Sequence, residues 1–340
     1  MAKIVTFGEI MLRLSTQNYE RLSQAKKFDL CFGGGEANVA VSLAHFGHDA
    51  YFVSKLPDND IGKSAAKSLK SEDVNCNHII WGGQRLGIYY LEAGSSLRGS
   101  KVTYDRAHSA VSESNFDEYD FKEVLNGASL FHFSGITPAL SENCASLIKK
   151  VCILAKEMGV TVSCDLNYRK KLWTKEKAQQ VMIPLMEYVD ICIGNEEDFE
   201  TCLGYKPESD ILKGRTDASD YKNIFKQLSK DFKFKFIAST LRESFSASHN
   251  GWKGLLFDGQ TFYESKHYDI NPIVDRVGSG DSFAAGLIHG LISQKDKQKA
   301  LDFAIAASAL KHTIPGDFNQ VNEEEVWNLA NGNQSGRVSR

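Results

Sequence analysis

Short runs of β-branched and aromatic residues alternate along this chain with longer stretches whose apolar positions follow a helical period. Ile4–Phe7, Tyr51–Val53, Leu130–Phe133, Val160–Cys164, Ile191–Ile193 and Phe234–Ala238 are too short for helices and predict buried strands. Between them Ala37–Phe46, Glu142–Met158 and Lys175–Tyr188 predict helices. The alternation implies a parallel sheet covered by helices on both faces.

One region breaks the rhythm. Gly87–Glu92 and Lys101–Arg106 read as the strands of a hairpin, joined by the turn-rich loop Ala93–Ser100. Met11–Leu14 and Asp29–Phe32 are expected to pair with it, as a small β-sheet lid over the mouth of the main sheet. An antiparallel edge extension without function is the plainer alternative. Tyr205–Lys222 reads as an exposed polar excursion, and Asn331–Arg340 as a fraying, disordered tail.

Composition narrows the class. The 340 residues carry 40 basic and 43 acidic side chains, a net charge of −3, so neither a nucleic-acid nor a membrane surface is indicated. The seven cysteines are scattered without a CxxC pair and read as reduced thiols. The histidines show no zinc spacing. The opening Met1–Gly8 reads as a strand rather than a signal peptide, and no apolar run approaches the roughly 18 residues of a membrane helix. A cytoplasmic protein is expected.

The chemistry concentrates in Asp275-Arg-Val-Gly-Ser-Gly-Asp281, which leads into a small-residue apolar helix. Gly278, Ser279 and Gly280 let several N–H groups point at one spot, where the helix dipole adds partial positive charge. Asp281 falls in the first helical turn as a stabilised anion. A base beside a hydroxyl and positive dipoles around a migrating phosphoryl group are what phosphoryl transfer to an alcohol requires. On these residues alone, a glycine turn with Asp281 as an ordinary cap remains the alternative.

Two other phosphate-binding patterns fail. Ile61-Gly-Lys-Ser64 ends like a P-loop, but its first glycine position holds Pro57. A dinucleotide fingerprint starting at Gly278 would need a small residue where Phe283 stands.

A second glycine cluster, Phe32-Gly-Gly-Gly-Glu-Ala-Asn38, also leads into a helix. It lets a ligand approach the backbone at Gly34, with Asn38 available to a sugar hydroxyl, or else it is a flexible connector. Tyr89, Tyr90, Tyr104 and Arg106 fall on the hairpin, and Arg169 follows a strand's carboxyl end, where parallel sheets bind ligands. Two converging arginines suggest an anionic substrate, although each alone reads equally as a surface charge.

With both glycine motifs in place the chain resembles the ribokinase-like (PfkB) family of carbohydrate kinases, over roughly Ile4 to Leu329. Within it the likeness is greatest to the 2-keto-3-deoxygluconate kinases, through Val102–Ala110, Phe133–Ala139, Asp165–Trp173 and Pro315–Asn319. The resemblance implies an α/β, three-layer ribokinase-like domain over residues 1–330, mostly parallel, with lid segments 10–33 and 86–108. It implies ATP-dependent phosphorylation of 2-keto-3-deoxygluconate on its terminal hydroxyl, with Asp281 as base and Gly278, Ser279 and Gly280 as anion hole. Gly34, Tyr89, Tyr104, Arg106 and Arg169 would hold the sugar acid. Asn195, Thr240 and Arg242, with Gly278 and Gly280, would meet the nucleotide, and Ala304–Lys311 would flank adenine.

Glu197 or Asp198 would reach Mg²⁺ through water, and the family's monovalent cation, K⁺, would lie at Asp275. A neutral-sugar kinase (fructokinase or ribokinase) and a non-catalytic sugar-binding regulator on the same fold are the alternatives. A homo-oligomer is expected through a lid face carrying Ile88, Tyr90 and Val102.

Overall fold

The computed structural model describes residues 1–206 and 218–333. Positions 207–217 of the expected excursion and 334–340 of the expected tail therefore lie outside the described residues.

Each expected strand forms, and all six are parallel neighbours. From the centre outward on one side run Leu130–Ser134, Lys3–Phe7 and Asp49–Val53. On the other run Thr161–Asp165, Ile191–Ile193 and Phe236–Ser246. These strands are buried on both faces, which is why they read as continuous apolar runs.

The sequence reading stopped short at the far edge. Phe236–Ser246 continues eight residues past Ala238 and turns into an antiparallel meander, His249–Phe257, Phe262–Glu264 and Tyr268–Ile270. Its polar, glycine-containing sequence hid the period of two.

Helices cover both faces. Glu142–Glu157, Lys175–Leu185 and Ala218–Asp231 lie over one core, and Gly35–His45, Ser279–Ser293 and Lys297–Lys311 over the other. Among the described residues no helix is long and apolar enough to cross a membrane.

The small sheet is separate and four-stranded, in the order Phe28–Gly33, Met11–Thr16, Gly87–Glu92, Lys101–Asp105. Alternation sends Met11, Tyr89 and Leu91 to one face, together with Val102 and Tyr104. Leu12 and Phe32 point the other way, onto the core beside Gly35–His45, with Leu14 and Ile88 against it. Val102 therefore does not share a face with Ile88 and Tyr90, as expected for an outer lid surface, because it stands directly opposite Leu91 across the hairpin.

Arg13 locks this sheet to the main body. Its Nη1 donates to Asp317 (2.9 Å), its Nη2 to Asp275 (2.5 Å) and its Nε to Ser15 (2.7 Å). Burial alone would lower the guanidinium's pKa, but Asp317 and Asp275 outweigh it and hold the value above normal. The three side chains are 10% exposed or less, so removing one partner strands charge in a dry site. Arg13→Met is expected to lose about 3–5 kcal/mol in urea unfolding, the usual cost of breaking a buried pair. A loss below ~1 kcal/mol would show that the clamp contributes nothing net.

Candidate active site

The carboxyl ends of the parallel strands, the start of the helix Ser279–Ser293 and the inner face of the small sheet enclose a cleft of about 550 Å³. Ligands in open α/β sheets bind at this edge. The helix begins where Gly278 adopts φ +84, in the left-handed region that suits glycine. A Cβ there would also lie 2.3 Å from the Asp317 carbonyl oxygen, so no other residue fits the turn. The first turn of the helix, Ser279, Gly280 and Asp281, presents N–H groups without intrahelical acceptors. Ser308 Oγ donates to the Ser279 carbonyl (2.7 Å) and accepts from Trp252 Nε1 (2.9 Å), fixing the turn from behind.

Asp281 lies in this cleft with its Oδ2 accepting from Asn38 Nδ2 at 2.7 Å. Asn38 Oδ1 in turn accepts from Gly34 N (3.2 Å). The amide expected to meet a sugar hydroxyl thus holds the catalytic candidate in place. Burial raises the Asp281 pKa to about 6, against the pull of Asn38 and Arg169, while Glu36 and Asp317 push it further up. Glu36 is fully buried and satisfied by Ser134 N and Oγ and by Thr137 Oγ1.

The sugar-side residues also reach the cleft. Gly34 passes so close to Glu9 that a Cβ would meet its carbonyl oxygen at 1.9 Å. Tyr89 is buried, with its hydroxyl donating to Asp317 (2.5 Å), so it offers a ring rather than a free hydroxyl. Tyr104 faces it across the hairpin at 5.9 Å between ring centroids. Arg106 donates Nε (2.8 Å) and Nη2 to Glu9, which neutralises most of its charge. Arg169 donates one bond to the Tyr168 carbonyl (3.1 Å) and carries the less compensated guanidinium. Both arginines and Tyr104 also border an adjoining pocket of about 770 Å³.

At the opposite end Asn195, Asp198, Thr240 and Arg242 line the cleft. Asp198 Oδ1 accepts from Tyr168 N (2.8 Å) and its Oδ2 from Asn195 N (3.0 Å). Glu197 is exposed and belongs to the adjoining pocket instead, one helical position too far round. Asp275 faces Arg13 rather than the cleft, and its oxygens also accept from Val277 N and Gly316 N.

Four residues of the site went unread in the sequence. Asp165 lines the cleft, its pKa driven well up by burial and by repulsion from Asp198 and Asp281, with Arg169 opposing. Its place at a strand's carboxyl end is the same signal that drew attention to Arg169. Arg276 stands beside Arg242; burial first, then that neighbour's charge, lowers its pKa. Asp317 stands at the back of the cleft, in a run with no hydrophobic period. Arg13 sits in an ordinary strand and carries no local signal at all.

The folded-state pKa of Asp281 lies above the unfolded carboxyl value. Its ionisation therefore disfavours the native state as pH rises through about 6, and that cost is absent below pH 4. Asp281→Asn is expected to be more stable than the parent by about 1–3 kcal/mol at pH 8, with the gain gone near pH 4. Equal urea midpoints at both pH values would contradict the perturbed acid.

Comparison with known proteins places the chain in a family. The family model for pfkB family carbohydrate kinases matches residues 1–323. The chain is 51% identical to a solved 2-dehydro-3-deoxygluconokinase from Thermotoga maritima, covering 98% of this chain and 100% of that one at a TM-score of 0.94. It is 33% identical to a 2-dehydro-3-deoxygalactonokinase from Haloferax volcanii, over 98% of each. It is 28% identical to a 2-dehydro-3-deoxygluconokinase from Bacillus subtilis, over 93% of this chain and 91% of that one. The fold and these matches together make the chain a member of the pfkB family of carbohydrate kinases, and a sugar kinase.

Proposed function

We propose that this kinase phosphorylates 2-keto-3-deoxygluconate on its terminal hydroxyl, using ATP. The observation that carries the reading is one acid, Asp281, flanked by arginines at both ends of a single cleft. Arg169 and Arg106 stand at the lid end and suit the carboxylate of a sugar acid. Arg242 and Arg276 stand at the other and suit the nucleotide phosphates. Two neighbouring guanidiniums repel one another, and an anion between them removes that cost.

In the reaction the terminal hydroxyl oxygen attacks the γ-phosphorus in line. Asp281 accepts the hydroxyl proton, the bond to the β-phosphate oxygen breaks, and ADP leaves. The first-turn N–H groups at Gly278–Asp281 donate to the oxygens of the migrating group, where negative charge concentrates. Asn38 keeps the acceptor oxygen of Asp281 oriented.

Mg²⁺ bound with ATP supplies further charge neutralisation on the phosphates. Asp165 and Asp198 fit it best: hard oxygen donors on the cleft wall, the first hydrogen-bonded only weakly to Asn167 at 3.4 Å. Among the described residues no group of three or more acidic, histidine or cysteine side chains could hold a metal ion alone, so Asp165 and Asp198 would hold it only together with water and the phosphates.

Because Glu9 already pairs with Arg106, Arg169 is the principal carboxylate partner. Arg169→Ala is expected to cut kcat/KM for 2-keto-3-deoxygluconate by ~10²-fold while changing that for fructose by less than about threefold. Equal losses on both sugars would support the neutral-sugar reading instead. Measuring the galactonate epimer in the same series separates the two sugar acids phosphorylated by the relatives above.

Asp281→Ala is expected to lower kcat by roughly 10³-fold or more with little change in sugar affinity. Wild-type kcat/KM should fall on the acid side with an apparent pKa near 6. Near-normal turnover in Asp281→Ala would end the assignment of the base.

A further inference from the structure

Lys311 is the only buried lysine among the described residues, with 0% of its surface exposed. Burying an ammonium costs several kcal/mol unless partners compensate, and a Leu or Met would fill the same space without that cost. The catalytic account above gives it no role, yet its position is particular. It ends the helix Lys297–Lys311, and its Nζ donates to the Ile314 carbonyl at 2.9 Å. A Cβ on Gly278 would stand 3.4 Å from Lys311 Cε, so the charged end of the side chain lies directly behind the turn that opens the catalytic helix. Asp275 and Asp317 are its attractive neighbours and Arg13 its repulsive one, while burial pulls its pKa below the ordinary lysine value.

The same place is where the family resemblance puts a monovalent cation, beside Asp275. The residues do not fit one. Asp275 Oδ2 accepts from Arg13 Nη2 (2.5 Å) and Gly316 N (3.1 Å), and Oδ1 accepts from Val277 N (3.0 Å). Asp317 holds Arg13 and the Tyr89 hydroxyl. The Ile314 carbonyl, a natural cation ligand, already faces the ammonium. Both carboxylates and the Ile314 carbonyl are thus engaged by hydrogen-bond donors of the chain itself.

We propose that the Lys311 ammonium supplies, from within the chain, the positive charge that a bound monovalent cation would otherwise place behind the anion-hole turn, so that this kinase turns over without K⁺. The inference rests on the anion-hole reading above. Lys311 acts through the Gly278–Gly280 turn and does not touch substrate, which makes it a positioning residue.

The test compares KCl with tetramethylammonium chloride at equal ionic strength, using the full chain. Wild-type kcat is expected to agree within about twofold in the two salts, and its melting temperature to be the same, since an ion that binds only the native state would raise it. Lys311→Met keeps the volume and removes the charge. It should lose ~10- to 10²-fold in kcat with the sugar KM within about threefold, the pattern of weakened transition-state stabilisation.

Lys311→Ala opens the space, and K⁺ or ammonium should raise its kcat at least ~5-fold over tetramethylammonium, a rescue that a purely structural lysine would not show. Activation of the wild type by K⁺ of more than about fivefold, full kcat in Lys311→Met, or a folded Lys311→Ala without rescue would each overturn the proposal. Should Lys311→Met fail to fold by circular dichroism, the wild-type salt comparison and the Ala rescue still decide. A K⁺-requiring wild type that is silenced by Asp281→Ala overturns this inference alone. Full turnover in Asp281→Ala overturns the base and leaves the salt comparison standing.

Discussion

Keeping a carboxylate dry at the positive end of a helix is the constraint around which this site is built. Water withdrawal alone drives Asp281 toward its neutral form, and Glu36 and Asp317 add to that pressure. The Asn38 amide and the Arg169 guanidinium resist it, and the balance leaves a pKa of about 6. That value is useful for a base: ionised at neutral pH, yet close enough to it to accept a proton with little penalty. A more exposed acid would be too weak a base. An acid crowded by other carboxylates, like Asp165 beside Asp198 and Asp281, has its pKa raised well above the ordinary carboxyl value by burial and that repulsion, and would be protonated more readily. The tuning requires that the surrounding polar groups be held rigidly, and that requirement explains the density of hydrogen bonds behind the cleft.

Three distant stretches of chain supply that rigidity. Arg13 comes from the small sheet, Asp275 from the loop before the catalytic helix, and Asp317 from the loop after Lys311. Their mutual bonds mean that the sheet expected to act as a lid is anchored at its base to the phosphate-handling turn. The Tyr89 hydroxyl adds a third strand-to-loop tie through the same Asp317. The strand Phe28–Gly33 joins the same cluster, since Cys31 donates its thiol to Asp317 and Phe32 is buried in the core beside Gly35–His45.

The sequence made the parallel sheet legible because strands buried on both faces leave continuous apolar runs, as at Leu130–Ser134. The antiparallel edge was hidden because Phe236–Ser246 runs out into half-exposed and exposed polar positions, and His249–Phe257 interrupts its apolar residues with Asn, Gly and Lys. Within the site, residues next to a glycine turn or a strand end announced themselves. Gly278, Asp281 and Arg169 could be located from local pattern, and Asn195 from the family resemblance. Arg13 and Lys311 could not, because their meaning comes only from partners 262 to 304 residues away, or from a burial that a lysine's chemistry argues against. Asn38 was located but misread, since its sequence position says nothing of which group its amide will meet. Val102 was assigned to the wrong face because the register of the hairpin, not its composition, decides the side on which it falls.

The distribution of charge around the cleft also bears on what it can admit. Four acids, Asp165, Asp198, Asp281 and Asp317, share it with four arginines, Arg106, Arg169, Arg242 and Arg276. Glu9 pairs with Arg106 and Arg13 with Asp317, which leaves three acids and three guanidiniums. Arg169 acts on all three of those acids, and Arg242 and Arg276 stand beside one another. A neutral hexose would bring no anion to Arg169, whose charge would be met only by Asp165, Asp198 and Asp281 as water is expelled. A sugar acid meets that charge and keeps its terminal hydroxyl, at the far end of its carbon chain, free to reach Asp281. On this argument the proposed substrate is one whose carboxylate and reacting hydroxyl are separate groups, the first at Arg169 and the second at Asp281.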